Sequence, residues 1–363
     1  MNFLVILLCI LCSTICDGIS CRSLRGDTTW FAMLKPPRLY NLVYADKEKP
    51  FYVHHDVDIG SWTNPIALTM MPVYVSSETQ TVNGTLNYFM FNDEVPEGQV
   101  NFKMGHAKGA VLFDDASIVY IITSVPHYPY NDTAGYNFPH TGVYYGQHFF
   151  CATFPKSELT KLLYQIRMMW PFVYNYKVDQ KNLQKYEDLD GIVHNKPLPA
   201  ASNPSSKVEQ LRMTDNTVLD AYNKNGTFGA DIFSGLISTN FNPPMNLLTE
   251  TWQNGKSKLP SFCSKNYSVK NVLHVKLFAE HFDYKESQDH SKWAVSADKK
   301  DHYICFGGVN RMGSQYRRGG AMYCFFNDLL WNVMRSSVVE VQDCKTKEDS
   351  ILGRILKLFN IEY

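Results

Sequence analysis

Short apolar runs broken by turn-forming residues dominate the first third of the chain. Trp30-Phe31-Ala32-Met33-Leu34 and Tyr88-Phe89-Met90-Phe91 are bounded by Pro, Asn and Asp, and residues 21–105 read as β-rich. Residues 111–113, the turn residues Asp114-Asp115-Ala116-Ser117 and residues 118–123 predict a β-hairpin whose first strand begins at His106 and Lys108. Two prolines within Ser124-Val125-Pro126-His127-Tyr128-Pro129-Tyr130 then end regular structure. After Cys151 the period changes. Leu159, Leu162, Leu163 and Ile166 fall at i, i+3, i+4 and i+7, which predicts a helix capped by Ser157 and running to about Met169. Residues 269–278 predict a buried strand, and residues 323–334 a helix rich in Leu, Trp and Phe. The Pro/Ser/Asn-rich stretch 197–206 is either a linker or a surface loop. Strands and helices alternate in both halves, which places the chain in the mixed α/β class.

The N-terminus changes the compartment. Residues 3–11 form an almost unbroken apolar run, far short of the roughly 18 to 20 that a membrane span needs. Small and polar residues follow, so residues 1–18 read as a secretory signal peptide, although no Lys or Arg precedes the apolar run. No later segment is long and apolar enough to cross a bilayer, and no stable membrane association is expected. Residues 19–363 suffice for one large core or two packed halves. Of nine cysteines, Cys9, Cys12 and Cys16 leave with the signal. The remaining Cys21, Cys151, Cys263, Cys305, Cys324 and Cys344 are an even set, which in a secreted chain favours three disulfides while leaving every pairing open. Glycosylation sequons at Asn83, Asn131, Asn225 and Asn266 fit the same compartment. Basic and acidic residues balance at 35 each, so nothing points to a polyanion partner near neutral pH. All 11 histidines lie beyond the signal, and they largely protonate at about pH 5, making the protein cationic in acid.

Histidine is also where candidate chemistry lies. His106-Ala107-Lys108, between Gly105 and Gly109, and His290-Ser291-Lys292, 184 residues later (290 − 106), each put an imidazole and an ammonium on one side of an extended segment. One group can attack or move a proton and the other can hold an anion. The triplet alone is a weak signal, because His274-Val275-Lys276 repeats it inside an apolar run, where it reads as structural or surface-facing. His54 and His55 are adjacent, face opposite ways on an extended chain, and cannot easily share an ion. The chain has no Gly-x-Ser-x-Gly elbow, no P-loop and no His-Glu-x-x-His, which leaves a histidine-based site with neither metal nor cofactor as the enzymatic reading.

Longer stretches sharpen this reading. Gly105-His106-Ala107-Lys108-Gly109 with Ser124-Val125-Pro126, Tyr145-Gly146-Gln147 before Cys151, and Pro171-Phe172-Val173-Tyr174-Asn175-Tyr176 resemble the deoxyribonuclease II family. So do Asp289-His290-Ser291-Lys292-Trp293, Gly308-Val309-Asn310-Arg311, and Gln315 with Arg318-Gly319-Gly320 before Cys324. The resemblance runs in order from about Cys21 to Cys344. It implies a phospholipase D-like pseudo-dimer, in which two similar α/β halves (about 21–196 and 207–363) bring their His-x-Lys motifs together across a cleft. It implies metal-independent cleavage of double-stranded DNA at acid pH to 3′-phosphate ends, in lysosomes or outside the cell, on engulfed, apoptotic or ingested material. The disulfides it implies are Cys21–Cys151, Cys263–Cys344 and Cys305–Cys324.

In that scheme Lys108 and Lys292 hold the non-bridging oxygens, His106 attacks to form a phosphohistidine and His290 is the acid, with the reverse assignment open. Asn310, 18 residues past Lys292, matches a polar position of phospholipase D-like sites, and Ser124, 16 past Lys108, is its rough counterpart. Arg318, ahead of two glycines, could cradle a neighbouring phosphate. Each also has a plainer reading, as a turn residue or part of a loop held by Cys324. Two positions depart from the family. Ala107 replaces the usual Thr, and Thr123 stands where many relatives have His, which keeps open a catalytically impaired relative that binds DNA or another partner.

Overall fold

Two large sheets pack face to face through alternate side chains of their central strands. The computed structural model describes residues 18–75, 80–81, 84–98, 100–199, 204–277 and 281–344. The signal-peptide reading for the segment before Gly18 and the sequon at Asn83 lie outside these residues. A short hairpin, β1 (Cys21–Ser23) and β2 (Gly26–Thr28), leads into β3 (Trp30–Lys35), β4 (Asn41–Asp46) and β5 (Lys49–Asp58). Helix α1 (Pro65–Val75) and a small ribbon, β6 (Gln80–Thr81) and β7 (Gly84–Thr85), precede β8 (Asn87–Asn92), β9 (Lys108–Phe113), β10 (Ser117–Thr123) and β11 (Gln147–Pro155). Then come α2 (Leu159–Met169), β12 (Val173–Lys177), α3 (Gln180–Lys185) and α4 (Glu187–Val193). The first sheet runs β12-β8-β9-β10-β11-β3-β4-β5, antiparallel throughout.

The second sheet uses β13 (Ser206–Arg212), β14 (Val218–Lys224), β15 (Leu247–Glu250), β16 (Phe262–Cys263), β17 (Ser268–Leu277), β18 (Phe282–Lys285), β19 (Trp293–Ser296), β20 (Tyr303–Gly307), β21 (Gly320–Phe326) and, after helix α5 (Asp328–Ser336), β22 (Val338–Val341). Its order is β13-β14-β21-β20-β19-β15-β17-β16, with β18 and β22 also pairing with β17, and only β15–β17 is parallel. The stretch 197–206 lies between the last strand of the first sheet and the first strand of the second, and residues 200–203 of it are outside the described part.

Period-2 alternation explains why the central strands read as unbroken apolar runs: both faces are covered. Ile118, Tyr120 and Ile122 of β10, with Phe150 and Ala152 of β11, point into a core shared with Ile304 and Phe306 of β20 and Tyr323 and Phe325 of β21. Val119, Ile121, Phe149 and Cys151 face the other way, against α1, while Tyr303, Cys305, Met322 and Cys324 line a third cluster behind the second sheet. Phe150 stacks on Phe306 with ring centroids 5.3 Å apart, and Tyr120 meets Tyr323 edge-on with their hydroxyls 3.0 Å apart. Aromatic pairs of this kind add about 0.5–1.5 kcal/mol beyond the area they bury.

The predicted hairpin at residues 111–123 is β9–β10, although His106 lies before β9, which starts at Lys108. The predicted buried face of α2 is buried at all four positions. Two expectations are corrected. Ser157 does not cap α2; it sits in a 3₁₀ turn, and the helix begins after Glu158 without a side-chain cap. The helix predicted over 323–334 is instead the end of β21, paired on both sides and bonded through Cys324, followed by α5, whose N-cap Asn327 accepts from Leu330 N at 2.8 Å. The disulfides are Cys21–Cys151, Cys263–Cys344 and Cys305–Cys324, the pairing that the resemblance implies.

Candidate active site

Each His-x-Lys segment is fastened by backbone remote from it in sequence. Gly105 N donates to Trp170 O at 2.7 Å, and His106 N donates to Gly319 O at 2.8 Å. A Cβ at Gly105 would fall 2.2 Å from Met169 O, so only glycine lets the chain pass there. On the other side, His290 N donates to Gly146 O and Gly146 N to Gln288 O, both at 2.8 Å. A Cβ at Gly146 would fall 2.4 Å from Asp289 Oδ1. These contacts explain the glycines around the motifs by close approach.

The imidazoles are braced reciprocally. His106 Nδ1 bonds to Gly308 O, and His290 Nδ1 lies 2.8 Å from Ser124 O. The offsets match: Ser124 follows His106 by 18 residues and Gly308 follows His290 by 18 (124 − 106 = 308 − 290). A carbonyl can only accept, so Nδ1 carries the proton in both rings and each neutral Nε2 keeps its lone pair. Lys292 Nζ also lies 3.2 Å from His290 Nδ1, but it cannot donate to a nitrogen already protonated; the carbonyl contact sets the tautomer.

Lys108 opens β9 and is buried, paired with Asp93 and, at 3.0 Å, with Glu94. Arg318 is buried beside them. It bonds Asp93 Oδ2 at 3.0 Å, and its remaining donors reach the carbonyls of Met104 (2.9 Å), Asn101 (3.0 Å) and Gly105 (3.3 Å). Asp93 Oδ2 is also 4.0 Å from His106 Nε2. Burial would raise the Asp93 carboxyl, but Lys108, His106 and Arg318 hold it well below the usual carboxylate range. His106 is lowered to about 3 by burial; Asp93 opposes this, while Lys108 and Arg318 add to it. His290 is lowered well below its ordinary value by burial and then by Lys292 and Lys108, and Lys292 falls to about 7 through burial and the Lys108 charge. Each motif therefore acts on the other's charge.

Behind His290 lies a polar layer that sequence reasoning missed. Lys292 Nζ bonds to His290 O, and Lys292 N donates to Nδ1 of the buried His148 at 3.1 Å. Glu250 is fully buried with both carboxylate oxygens unpartnered among the described residues, and burial, then Asp289, raises it well above its ordinary value. Trp252 meets the His290 ring edge-on at 5.1 Å. These residues come from β11, β15 and the chain after β15, remote in sequence from either triplet. Asp93 and Glu94 likewise read only as polar residues ending a strand.

The remaining candidates sit as follows. The Ser124 hydroxyl is 2.6 Å from Gln147 Oε1 and accepts from His148 N, so Ser124 meets the site through its carbonyl. By offset its counterpart is Gly308, not Asn310 (308 − 292 = 124 − 108). Asn310 is buried, with Oδ1 unpartnered among the described residues. Arg318, read as a phosphate cradle, is instead committed to Asp93 and the loop carbonyls. Thr123 is buried and donates to His148 O at 2.9 Å, an internal strand role. His274 and Lys276 both pair with Asp283, Lys276 at 3.2 Å, away from the site. Of the other sequons, Asn266 is exposed and Asn131 partly so, whereas Asn225 is buried with its amide donating to Pro204 O at 2.9 Å. The side chains of His54 and His55 lie outside the described part. A groove of about 710 Å³, walled by Val95, Phe102, Lys103, Phe172 and Tyr174 among others, runs beside the segment leading to His106 and contains neither histidine.

Two imidazoles with available Nε2 atoms among buried ammonium groups suit attack on an anionic ester. Comparison with known proteins gives the class as a nuclease, a phosphodiester hydrolase. The model of the deoxyribonuclease II family matches residues 20–344, and the chain belongs to that family. It is 28% identical to cell-death-related nuclease 7 of Caenorhabditis elegans over 355 residues, covering 95% of this chain and 93% of that protein. It is 28% identical to plancitoxin-1 of Acanthaster planci (90% and 93% covered) and 28% identical to human deoxyribonuclease-2-beta (90% and 92% covered).

Proposed function

We propose that this protein is an acid endodeoxyribonuclease that cuts double-stranded DNA to 3′-phosphate ends without a metal, through a phosphohistidine. The observation that carries this is the reciprocal bracing of His106 and His290, each with Nδ1 on a carbonyl of the other half and with no hydrogen bond to Nε2 among the described residues. It also supports reading the chain as a pseudo-dimer of halves 21–196 and 207–363 with the site between them. The matching central strand orders, β8-β9-β10-β11 and β15-β19-β20-β21, support it too. A phosphodiester between the rings would be held by Lys108 and Lys292 on its non-bridging oxygens.

The charge distribution favours His290 as nucleophile and His106 as acid, the reverse of the order first assigned from sequence. Asp93, 4.0 Å from His106 Nε2, favours an imidazolium there, whereas Lys292 beside His290 favours a neutral ring. His290 Nε2 forms the bond to phosphorus, the P–O5′ bond breaks, and His106 gives its Nε2 proton to O5′. Water then attacks the phosphohistidine, His106 takes the water's proton, and the 3′-phosphate and His290 are released. Asn310 and Ser124 would line the substrate side, and Arg318 would keep the His106 segment in place through Asp93.

A secretory route, ending in a lysosome or outside the cell, fits the signal-like N-terminus, the disulfides and the sequons. DNA from dying, engulfed or ingested cells is the substrate expected there, in line with the name of the C. elegans relative, a cell-death-related nuclease. Plasmid incubated with the purified protein at about pH 5 in excess chelator should be cut, and its new ends should resist ligation until a phosphatase has removed the 3′-phosphate and a kinase has phosphorylated the 5′-hydroxyl. Inhibition by chelator, or 5′-phosphate ends, would overturn the proposal.

Burial and neighbouring cations depress both histidines in the free protein, and a bound phosphodiester anion reverses the Coulomb part of that shift. A buried histidine with lowered folded pKa contributes stability that is complete above its ordinary value of about 6.5 and is lost as pH falls toward the folded value, about 3 for His106. Inorganic phosphate or a short oligonucleotide should therefore raise Tm more at pH 5 than at pH 7. An equal rise at both pH values would place the anion elsewhere.

A further inference from the structure

An aromatic ladder leads from the surface to His290, and the chemistry outlined above does not use it. Trp252, partly exposed, meets the His290 ring at 5.1 Å, and Tyr145 meets Trp252 edge-on at 4.7 Å. Tyr145 keeps 38% of its surface open to solvent. Its position is fixed, because the next residue, Gly146, exchanges backbone hydrogen bonds with Gln288 and His290, and Gly146 pairs with Asp289 as an isolated bridge. Through Trp252 the Tyr145 ring is linked to a reactive imidazole while much of its own surface stays uncovered.

The two lysines fix where a phosphate would sit, and in a nucleotide the base hangs one sugar away from its phosphate. The ladder runs outward from His290 over two ring contacts, on the flank of that phosphate. Aromatic rings hold bases by stacking whatever their sequence, because every base presents a π-face. A base inside an intact duplex has both faces covered, so the ligand must be unstacked: at a nick, a frayed end or in single-stranded DNA.

We infer that Tyr145 and Trp252 form a stacking subsite for one unpaired nucleobase next to the scissile phosphate, an inference that rests on the nuclease reading of the same site. Bases on that side then contribute to binding and to orienting the bond for attack, independently of sequence.

The test uses the full chain and end-labelled single-stranded oligonucleotides at pH 5 in chelator, identical except that one carries a single abasic residue. Binding is read by fluorescence anisotropy and cleavage bond by bond on a sequencing gel. Wild-type protein should cut one of the two bonds flanking the abasic residue about tenfold or more slowly than the same bond with its base present, and the abasic oligonucleotide should bind more weakly. Tyr145→Ala should remove both differences, and Tyr145→Phe should restore them. A loss of fold or of His290 geometry would slow every bond equally and would not erase the base dependence. Equal cutting of both flanking bonds by the wild type, or base dependence that survives in Tyr145→Ala, overturns the subsite. If neither oligonucleotide nor a plasmid control is cut, the nuclease reading fails; if only the plasmid is cut, that reading stands, and in either case the anisotropy difference decides whether the platform holds a base.

Discussion

Alanine at either His106 or His290 is expected to lower DNA cleavage by about 10³- to 10⁴-fold, and the double variant should be little worse than either single one, because the two act as a unit. DNA binding should survive, since Lys108 and Lys292 remain. The two variants should separate on a substrate with an activated leaving group. On thymidine 3′-(p-nitrophenyl phosphate) the departing phenolate needs no proton. His106→Ala should recover much of the first-step rate, whereas His290→Ala, without its nucleophile, should stay inactive. The physical ground is the charge beside each ring: Asp93 lies 4.0 Å from His106 Nε2, and the Lys292 ammonium lies 3.2 Å from His290 Nδ1. Recovery in His290→Ala and not in His106→Ala would restore the opposite assignment. A His106→Ala variant that keeps a tenth or more of wild-type activity on DNA would sink the two-histidine site altogether.

What the sequence could disclose depended on whether a signal was local. The β9–β10 hairpin and the buried stripe of α2 were legible because apolar runs split by a turn, and a 3.6-residue period, are carried in full by short windows. Residues 320–336 failed this test because a strand covered on both faces and the start of an amphipathic helix are both apolar; only Asn327 marks the junction, through its cap. The His-x-Lys triplet was uninformative by itself, since His274 and Lys276 spend theirs on Asp283 at the surface. Asp93 was invisible for a different reason. Its partner Lys108, 15 residues on, reaches it only once β8 and β9 pair, and Arg318, 225 residues on, only when the two sheets stack; no spacing rule encodes either. The same remoteness made Arg318 look free to hold a phosphate.

Asp93→Asn is the second substitution expected to have a large effect, on two quantities that can be read separately. The amide keeps the shape and loses the charge, leaving Arg318 buried without its carboxylate and Lys108 with Glu94 alone. Removing one partner of a buried ion pair costs about 3–5 kcal/mol, so unfolding by urea should show a loss of that order. The folded pKa of Asp93 is depressed, so its contribution is complete above the unfolded value of about 3.9 and is lost only as pH falls through the lower folded value. The loss in Asp93→Asn should therefore be the same at pH 5 and pH 7, and the wild type should keep this interaction in an acid compartment. Activity should shift as well. Asp93 is the carboxylate that raises His106 against burial and against Lys108, so without it the His106 imidazolium becomes harder to form. The pH above which cleavage declines should move to more acid values, with less activity left at pH 5 even after correcting for the folded fraction. If Asp93 only held the fold together, that corrected profile would overlay the wild type; a shift of its alkaline limb is what assigns Asp93 a part in easing the protonation of His106.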